Sequence, residues 1–216
     1  RMQIMKQSPV QLVYDDIRNK IIRRQMFPGN RIIEEDLAQE LGTSRTSIRS
    51  ALQQLRQDGF VEIIPNRGSF VVQPTLEDII ALYDVRLTLE SGAIKAAVEK
   101  ATADTIRYLE HNLQQQLELD RNFSISAYSA LNRDFHWQIA KAARNPYYER
   151  FLAEVYNKVE VYMLFYDKSI DNSYSYASHK EMLTAIRERD LSRAEAAVVN
   201  DNEKALADIR FSFASV

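Results

Sequence analysis

The chain has 216 residues, 45% of them hydrophobic and 27% charged, with a formal net charge of −2; this composition suits one large or two small globular domains and excludes long disorder and a collagen-like chain. The lack of cysteine excludes a disulfide scaffold, a Cys-ligated zinc finger, an iron–sulfur cluster and a thiol nucleophile. No run reaches the roughly 18 apolar residues of a membrane span, and RMQIMKQSPV lacks the apolar core of a secretory signal, so a cytoplasmic protein with no membrane partner is expected.

Arg1 ahead of Met2 reads as a tag remnant that offsets this numbering from the native one. Cutting the chain after Gln73 separates two different charge balances. Residues 1–73 carry 11 Lys+Arg against 8 Asp+Glu, a net of +3, and residues 74–216 carry 17 against 22, a net of −5. Gly29, Gly42, Gly59 and Gly68, with Pro9, Pro28, Pro65 and Pro74, all fall in the first 74 residues. Because Gly and Pro punctuate turns, the first third should hold short elements and the rest long helices, with Pro74 in the linker.

In chain order, PVQLVYDDIRNKIIRRQMF places Leu12, Ile17, Ile21 and Ile22 at helical spacing, and Pro28-Gly29-Asn30 stops that helix. EEDLAQELG is a second, short helix with an acidic first turn and Gly42 where a left-handed C-cap belongs. TSRTSIRSALQQLRQDG is a third, opened by Thr43 or Ser44 as N-cap and closed at Gly59, with Ile48, Leu52, Leu55 and Phe60 as core. Two helices joined by a short Gly-containing turn form a helix-turn-helix. FVEIIPNRGSFVV then gives two strands around a turn at Pro65–Gly68, so residues 1–73 read as a winged helix-turn-helix, a DNA-binding domain.

The third helix starts with Ser44, Arg45, Thr46 and Arg49, and the first turns of a recognition helix are what meets base edges in the major groove. Arginine pairs bidentately with guanine, while hydroxyls and helix N-terminal amides hold phosphates. Arg67 and Gly68 at the hairpin tip suit a neighbouring minor groove. The plainer reading of these arginines is a solvated surface.

LAQELGTSRTSIRSALQQLRQDGFVEIIPNRGSFVV resembles the DNA-binding domain of the GntR family of bacterial transcription regulators. The resemblance implies base reading by Arg45 and Arg49, support from Ser44 and Thr46, and Gly68 at the wing tip. The chain departs from it in the second helix, where Glu35 and Asp36 stand in place of a basic DNA contact.

Beyond residue 74 the chain reads as six helices, at 75–101, 104–122, 126–144, 146–166, 175–188 and 191–213, so residues 74–216 form an all-α bundle and the whole fold is mostly α. Tyr162, Phe165, Tyr166, Tyr174 and Tyr176 are expected mostly in its core, and Asn145 as a cap between helices. LYDVRLTLESGAIKAAVEKAT, LNRDFHWQIAKAARNPYY and SHKEMLTAIRERDLSRAEAA resemble the FCD effector domain of the FadR subfamily.

Asn132 and His136 stand four apart on one helix face, the spacing that lets two side chains chelate one ion. The FCD resemblance adds His179 and Asp201 and implies a divalent metal, zinc, nickel or manganese; a one-turn shift or the neighbouring Asn202 would change the last ligand. The chain departs from the usual one Asp and three His by carrying Asn132 and Asp201 in place of the usual Asp and third His, while His111 stands outside the pattern and Asp134 faces elsewhere. Arg86 is a family feature suited to an anionic, carboxylate effector; its alternative is an intradomain salt bridge with Glu90 at i,i+4.

Together these features point to a homodimeric repressor on a double-stranded DNA operator, controlled by a small anionic metabolite in the 74–216 effector-binding and dimerisation domain, with no catalysis. The rival reading is a metal-dependent hydrolase with an accessory DNA-binding domain, which lacks an HExxH motif or a nucleophile–base pair in this sequence. An architectural DNA-binding protein would leave two thirds of the chain without a task.

Overall fold

The structure, a computed structural model, describes residues 8–119, 123–166 and 172–213. Arg1 and Met2, the expected extension of one helix to residue 122, and most of the polar break at 167–175 lie outside the described residues. The chain divides into two compact units, Arg1–Gln73 and Pro74–Val216.

In the first unit Ser8 caps α1 (Pro9–Ile22) by accepting a hydrogen bond from the Gln11 amide, and Pro9 takes a first-turn position that needs no amide hydrogen. Val13, Ile17 and Ile21 form its buried stripe, whereas Leu12, expected on that face, is 42% exposed and Ile22 is half-buried. Ile17 and Ile21 lie on the expected stripe, and at its start Val13 takes the place of Leu12, one residue or about 100° around the helix. Helix α2 (Glu34–Glu40) places Glu34, Glu35 and Asp36 at its positive N-terminal end and is followed by Gly42 at φ 57°.

Helix α3 (Arg45–Gln57) packs on α1 through Ile48, Ala51, Leu52 and Leu55, all buried, with Phe60 beside them in the core. Each such aliphatic side chain contributes about 1.5–3 kcal/mol relative to exposure. The hairpin of β2 (Val61–Ile64) and β3 (Gly68–Val71) sets Ile64 opposite Gly68, with a turn closed by the Arg67 amide on the Ile64 carbonyl at 3.0 Å. A short β1 (Arg31–Ile32) pairs antiparallel with β3 and gives the order β1-β3-β2. Two residues are too few to show alternation, so this strand left no sequence signal.

The second unit holds α4 (Leu76–Lys100), α5 (Ala103–Glu118), α6 (Ile125–Ala142), α7 (Pro146–Tyr166), α8 (Ser173–Glu188) and α9 (Leu191–Phe213). A capping box starts α4: Thr75 Oγ1 accepts from the Asp78 amide at 3.1 Å and Asp78 Oδ2 from the Thr75 amide at 2.8 Å. Helix α4 then runs through the bundle against α6, α7, α8 and α9. Gly92 allows the closest approach, because a Cβ there would collide with the Tyr148 ring and hydroxyl.

Asn145 caps α7 through the Tyr147 amide at 3.0 Å. Ile94, Leu109, Phe135, Met182, Leu183 and Ile186 centre the core. Tyr162 and Tyr166 are buried and Phe165, Tyr174 and Tyr176 half-buried. Among the described residues no helix is long and apolar enough to cross a membrane.

Candidate functional site

Two places gather the residues singled out from the sequence, one in each unit. In the first, Ser44 is the N-cap of α3, its Oγ accepting from the Ser47 amide at 3.1 Å, so this hydroxyl ends the helix and presents the first turn. Arg45, Thr46 and Arg49 are exposed on that turn. Arg45 Nη2 meets Glu35 Oε1 at 2.6 Å and Arg49 Nε meets Glu34 Oε2 at 2.8 Å, so the acidic start of α2 holds both guanidinium groups. Arg67 and Gly68 are exposed at the hairpin, Arg67 lying 5.9 Å from the Phe70 ring centre and Gly68 at φ 110°. Arg31 of β1 also lies against Gly68. It was missed because its strand was missed.

The second place is inside the helical unit, where Arg86 and Glu90 from α4, Asn132 and His136 from α6, His179 from α8 and Asp201 from α9 are all buried. Asp201 and not its neighbour enters this centre: Asn202 instead donates to the Tyr83 carbonyl at 3.3 Å. His111 is exposed on α5, away from it. The salt bridge anticipated for Arg86 is present, Nε to Glu90 Oε1 at 3.1 Å, yet the same guanidinium also reaches His136 Nε2 at 3.1 Å and Asp201 Oδ2 at 3.2 Å.

The protons on both imidazoles follow from their partners. Glu90 is ionised: burial alone would raise its pKa, but the Arg86 guanidinium and the His136 ring more than offset this and take it down to about 2. A carboxylate only accepts, so His136 Nδ1, 3.1 Å from Glu90 Oε1, carries the hydrogen. His179 is fixed by a longer relay from Asp134, whose Oδ2 accepts from Asn112 Nδ2 at 2.9 Å. That leaves Asn112 Oδ1 to accept from Gln116 Nε2 at 2.6 Å, and Gln116 Oε1 then accepts from His179 Nδ1 at 2.9 Å.

Both rings therefore carry a hydrogen on Nδ1, and their Nε2 atoms face inward, 3.1 Å apart. Two lone pairs at that distance repel unless a cation lies between or beside them. Burial, with His136 and Arg86 nearby, holds the His179 pKa well below the ordinary 6.5. Burial raises the Asp201 pKa despite His136 and Arg86, and it raises that of Tyr156, beside Glu90, further above its ordinary range. Arg86 loses by burial, but Glu90 and Asp201 carry its pKa above its already high value.

The donor set fits a divalent cation. His136 Nε2 lies 3.5 Å from Asp201 Oδ2 and His179 Nε2 3.9 Å from Asp201 Oδ1, and the ligand atoms of these three residues all fall within 4.8 Å of one another. Ligands about 2.1 Å from a tetrahedral ion stand roughly 3.4 Å apart. Hydrogen bonds that fix Nδ1–H and release Nε2 are the usual support of metal-binding histidines. Asn132 stands one step out: its Oδ1 accepts from Ser175 Oγ at 3.2 Å, and that hydroxyl lies 3.4 Å from His179 Nε2.

A small pocket beside the centre is lined by Arg86, Ser129, Asn132, Arg133, His136 and Glu160, among others, with space for about one water-sized sphere. Ser129 Oγ is buried there without a hydrogen-bond partner, and Arg133 bridges to Glu160 at 3.2 Å and Asn157 at 2.6 Å.

Glu90 was visible in the sequence only as a partner for Arg86, although i,i+4 placement already put both on one face of α4. Nothing marked Gln116, Asn112 or Ser175, since amides and hydroxyls on helices are ordinarily solvated.

A winged helix-turn-helix joined in one chain to an all-helical unit is the arrangement of a DNA-binding transcriptional regulator. The model for bacterial regulatory proteins of the gntR family matches residues 9–71 and that for the FCD domain matches residues 81–202. The chain belongs to the GntR family of transcriptional regulators, in the group that carries an FCD domain.

It is similar to the Nta operon transcriptional regulator of Aminobacter aminovorans, 36% identical over 120 residues that cover 55% of this chain and 56% of that protein. It is 26% identical over 143 residues to the HTH-type transcriptional regulator YdhC of Bacillus subtilis, covering 66% and 64%, and 25% identical over 142 residues to the HTH-type transcriptional repressor RspR of Escherichia coli, covering 65% and 62%. These matches span less than two thirds of each relative's length. The fold is shared with Escherichia coli McbR/YncC (TM-score 0.78, 18% identity, 96% and 99% of the chains) and with a GntR regulator from Rhodococcus sp. RHA1 (TM-score 0.77, 24% identity, 95% and 99%).

Proposed function

We propose that this chain is a ligand-responsive repressor that binds a pseudo-palindromic DNA operator as a homodimer and loses operator affinity when a small carboxylate occupies the C-terminal unit. Arg45 and Arg49 read bases, Ser44, Thr46, Arg67 and Gly68 serve phosphate or minor-groove contacts, and two-fold pairing matches two half-sites. The name of RspR supports the repressor assignment.

His136, His179 and Asp201 hold a zinc, nickel or manganese ion, with Asn132 behind them through the Ser175 hydroxyl. Such an ion supplies an open position to which a carboxylate can coordinate. The observation that carries this reading is the convergence of two Nε2 lone pairs and one carboxylate in a buried centre, each imidazole held by an Nδ1–H bond.

DNA selection from random sequence, with and without a metabolite pool, together with elemental analysis of the purified protein, tests both halves. A two-fold symmetric motif that weakens with a carboxylate is expected. Absence of any selected motif would overturn the DNA assignment, and absence of bound metal after reconstitution would overturn the metal centre.

A further inference from the structure

Arg86 occupies the atoms that a metal ion would need. Its Nη2 donates to His136 Nε2 at 3.1 Å and to Asp201 Oδ2 at 3.2 Å. A neutral imidazole with its hydrogen on Nδ1 has one lone pair in the ring plane at Nε2, and that pair serves either a guanidinium N–H or a cation. Both cannot hold it together.

We infer that Arg86 is the resident counter-cation of the centre and exchanges with a divalent ion, turning its guanidinium toward the neighbouring pocket, which widens from its one-water size as the side chain moves, and where it becomes the receptor for an anion. The inference rests on the metal reading above and adds a direction to it: metal and anion bind cooperatively, through one side chain.

Three observations support it besides the shared atoms. Arg86 has an anchor that the exchange leaves in place, since its Nε is held by Glu90 Oε1 at 3.1 Å and its guanidinium carbon lies 5.5 Å from the Tyr83 ring centre. The planar guanidinium turns as one unit about its side-chain torsions, and Glu90 accepts from whichever of its N–H groups then faces it. Arg86 also lines the pocket that contains the unpartnered Ser129 Oγ, a hydroxyl able to donate to a carboxylate, with Arg133 alongside.

The charges point the same way. In the metal-free centre two carboxylates, Glu90 and Asp201, stand against one guanidinium, a balance that repels an anion. A divalent ion adds two positive charges beside them and reverses that balance. Anion binding is thus conditional on metal, and by linkage the anion tightens metal by the same factor.

The test uses the full chain stripped with chelator, with cobalt(II) and zinc as the metals and acetate and succinate as the anions, followed by absorption spectroscopy and calorimetric titration. In the wild type, acetate or succinate should tighten metal binding about tenfold, within the usual range of coupling between sites, and neither should bind the stripped protein. Arg86→Gln removes the competing cation, so it should bind metal at least about tenfold tighter while losing the coupling to the anion.

Weaker or unchanged metal binding in Arg86→Gln, with the wild type binding well, would overturn the exchange and leave the metal centre standing. No binding in the wild type would overturn both. Should Arg86→Gln fail to fold, the wild-type titrations decide alone: anion binding to stripped protein, or metal affinity indifferent to anion, overturns the inference.

Discussion

Adding zinc, nickel or manganese to chelator-stripped protein should raise the melting temperature of the helical unit by an amount that mass action fixes. An ion bound only by the folded chain stabilises it by RT ln(1 + [M]/Kd), about 2.7 kcal/mol at a hundred times Kd. For a unit of the size of Pro74–Val216, each kcal/mol moves Tm by roughly 2–4 °C, so a shift of about 5–10 °C is expected at that excess. It should grow with the logarithm of metal concentration and vanish in His136→Ala and in His179→Ala.

The pH dependence has two parts, both lost toward acid but over different ranges. Burial holds His179 neutral in the folded chain well below its unfolded value near 6.5. Below pH 6.5 the unfolded chain takes up a proton that the folded chain refuses, so this group's contribution, complete above 6.5, is lost at about 1.4 kcal/mol per pH unit until the folded value is reached. Metal-free protein should therefore melt at progressively lower temperature from pH 7 to 5. Because the folded chain resists protonating His179, this ligand is lost only at a pH below that at which the unfolded chain takes up its proton. Calorimetric scans at several pH values, with and without metal, separate the two effects. A metal-dependent shift of equal size in wild type, His136→Ala and His179→Ala would refute the assigned ligands.

Further outcomes can be checked on the same preparations. Arg45→Ala or Arg49→Ala should weaken operator binding by about 1–3 kcal/mol and relax preference at one position per half-site; equal loss on random DNA would make both phosphate contacts. Exposed pairs such as Arg45–Glu35 and Arg49–Glu34 are worth only about 0.2–1 kcal/mol, so Glu34→Gln with Glu35→Gln should leave the melting temperature nearly unchanged but tighten binding to all DNA, as two anions near the phosphates are removed; unchanged DNA affinity would show that α2 stays clear of the duplex. Glu90→Gln breaks a buried ion pair and should lower stability by about 3–5 kcal/mol in denaturant titration; a change under about 1 kcal/mol would mean that Arg86 is satisfied by Asp201 alone. Gly92→Ala should lower the melting temperature although alanine favours helix by about 1 kcal/mol, because its Cβ meets the Tyr148 hydroxyl; a higher melting temperature would show that α7 yields freely.

The elements that sequence made legible are those whose signals are local. Gly42 and Gly59 bound the recognition helix, Pro65–Gly68 marks the wing, and the six long helices of the second unit announce themselves by caps and breaks such as Thr75 and Asn145. Leu12 shows the limit of that reading, since adjacent apolar residues in LV leave the phase of a stripe undetermined until the partner helix is known. In the buried centre, His136 is legible from its spacing to Asn132 on one helix face, and His179 and Asp201 from the family resemblance. Their proton assignment depends on Glu90, Gln116, Asn112 and Asp134, which come from two other helices and α6 itself. Such a relay is a product of packing, with no spacing rule to reveal it.

That relay also bears on why so polar a centre stands in a helical core. Replacing a buried ionic cluster with well-packed apolar side chains is often neutral or stabilising, so Arg86, Glu90, His136, His179 and Asp201 are not explained by folding alone. The imidazole orientation points the same way. Glu90 and the chain from Asp134 to Gln116 hold a hydrogen on each Nδ1, and this brings two Nε2 atoms together at 3.1 Å, an arrangement unfavourable for two neutral rings with nothing between them. Moving one hydrogen from Nδ1 to Nε2 would turn that repulsion into an ordinary hydrogen bond, yet it would leave a bare Nδ1 facing the Glu90 carboxylate or the Gln116 side-chain carbonyl, both of which only accept. The network therefore keeps in place a repulsion that only a cation relieves. In the metal-free chain Arg86 relieves half of it, from the His136 side, and His179 Nε2 has only the Ser175 hydroxyl at 3.4 Å. A core held in that condition is poised to take up a cation that both rings can share.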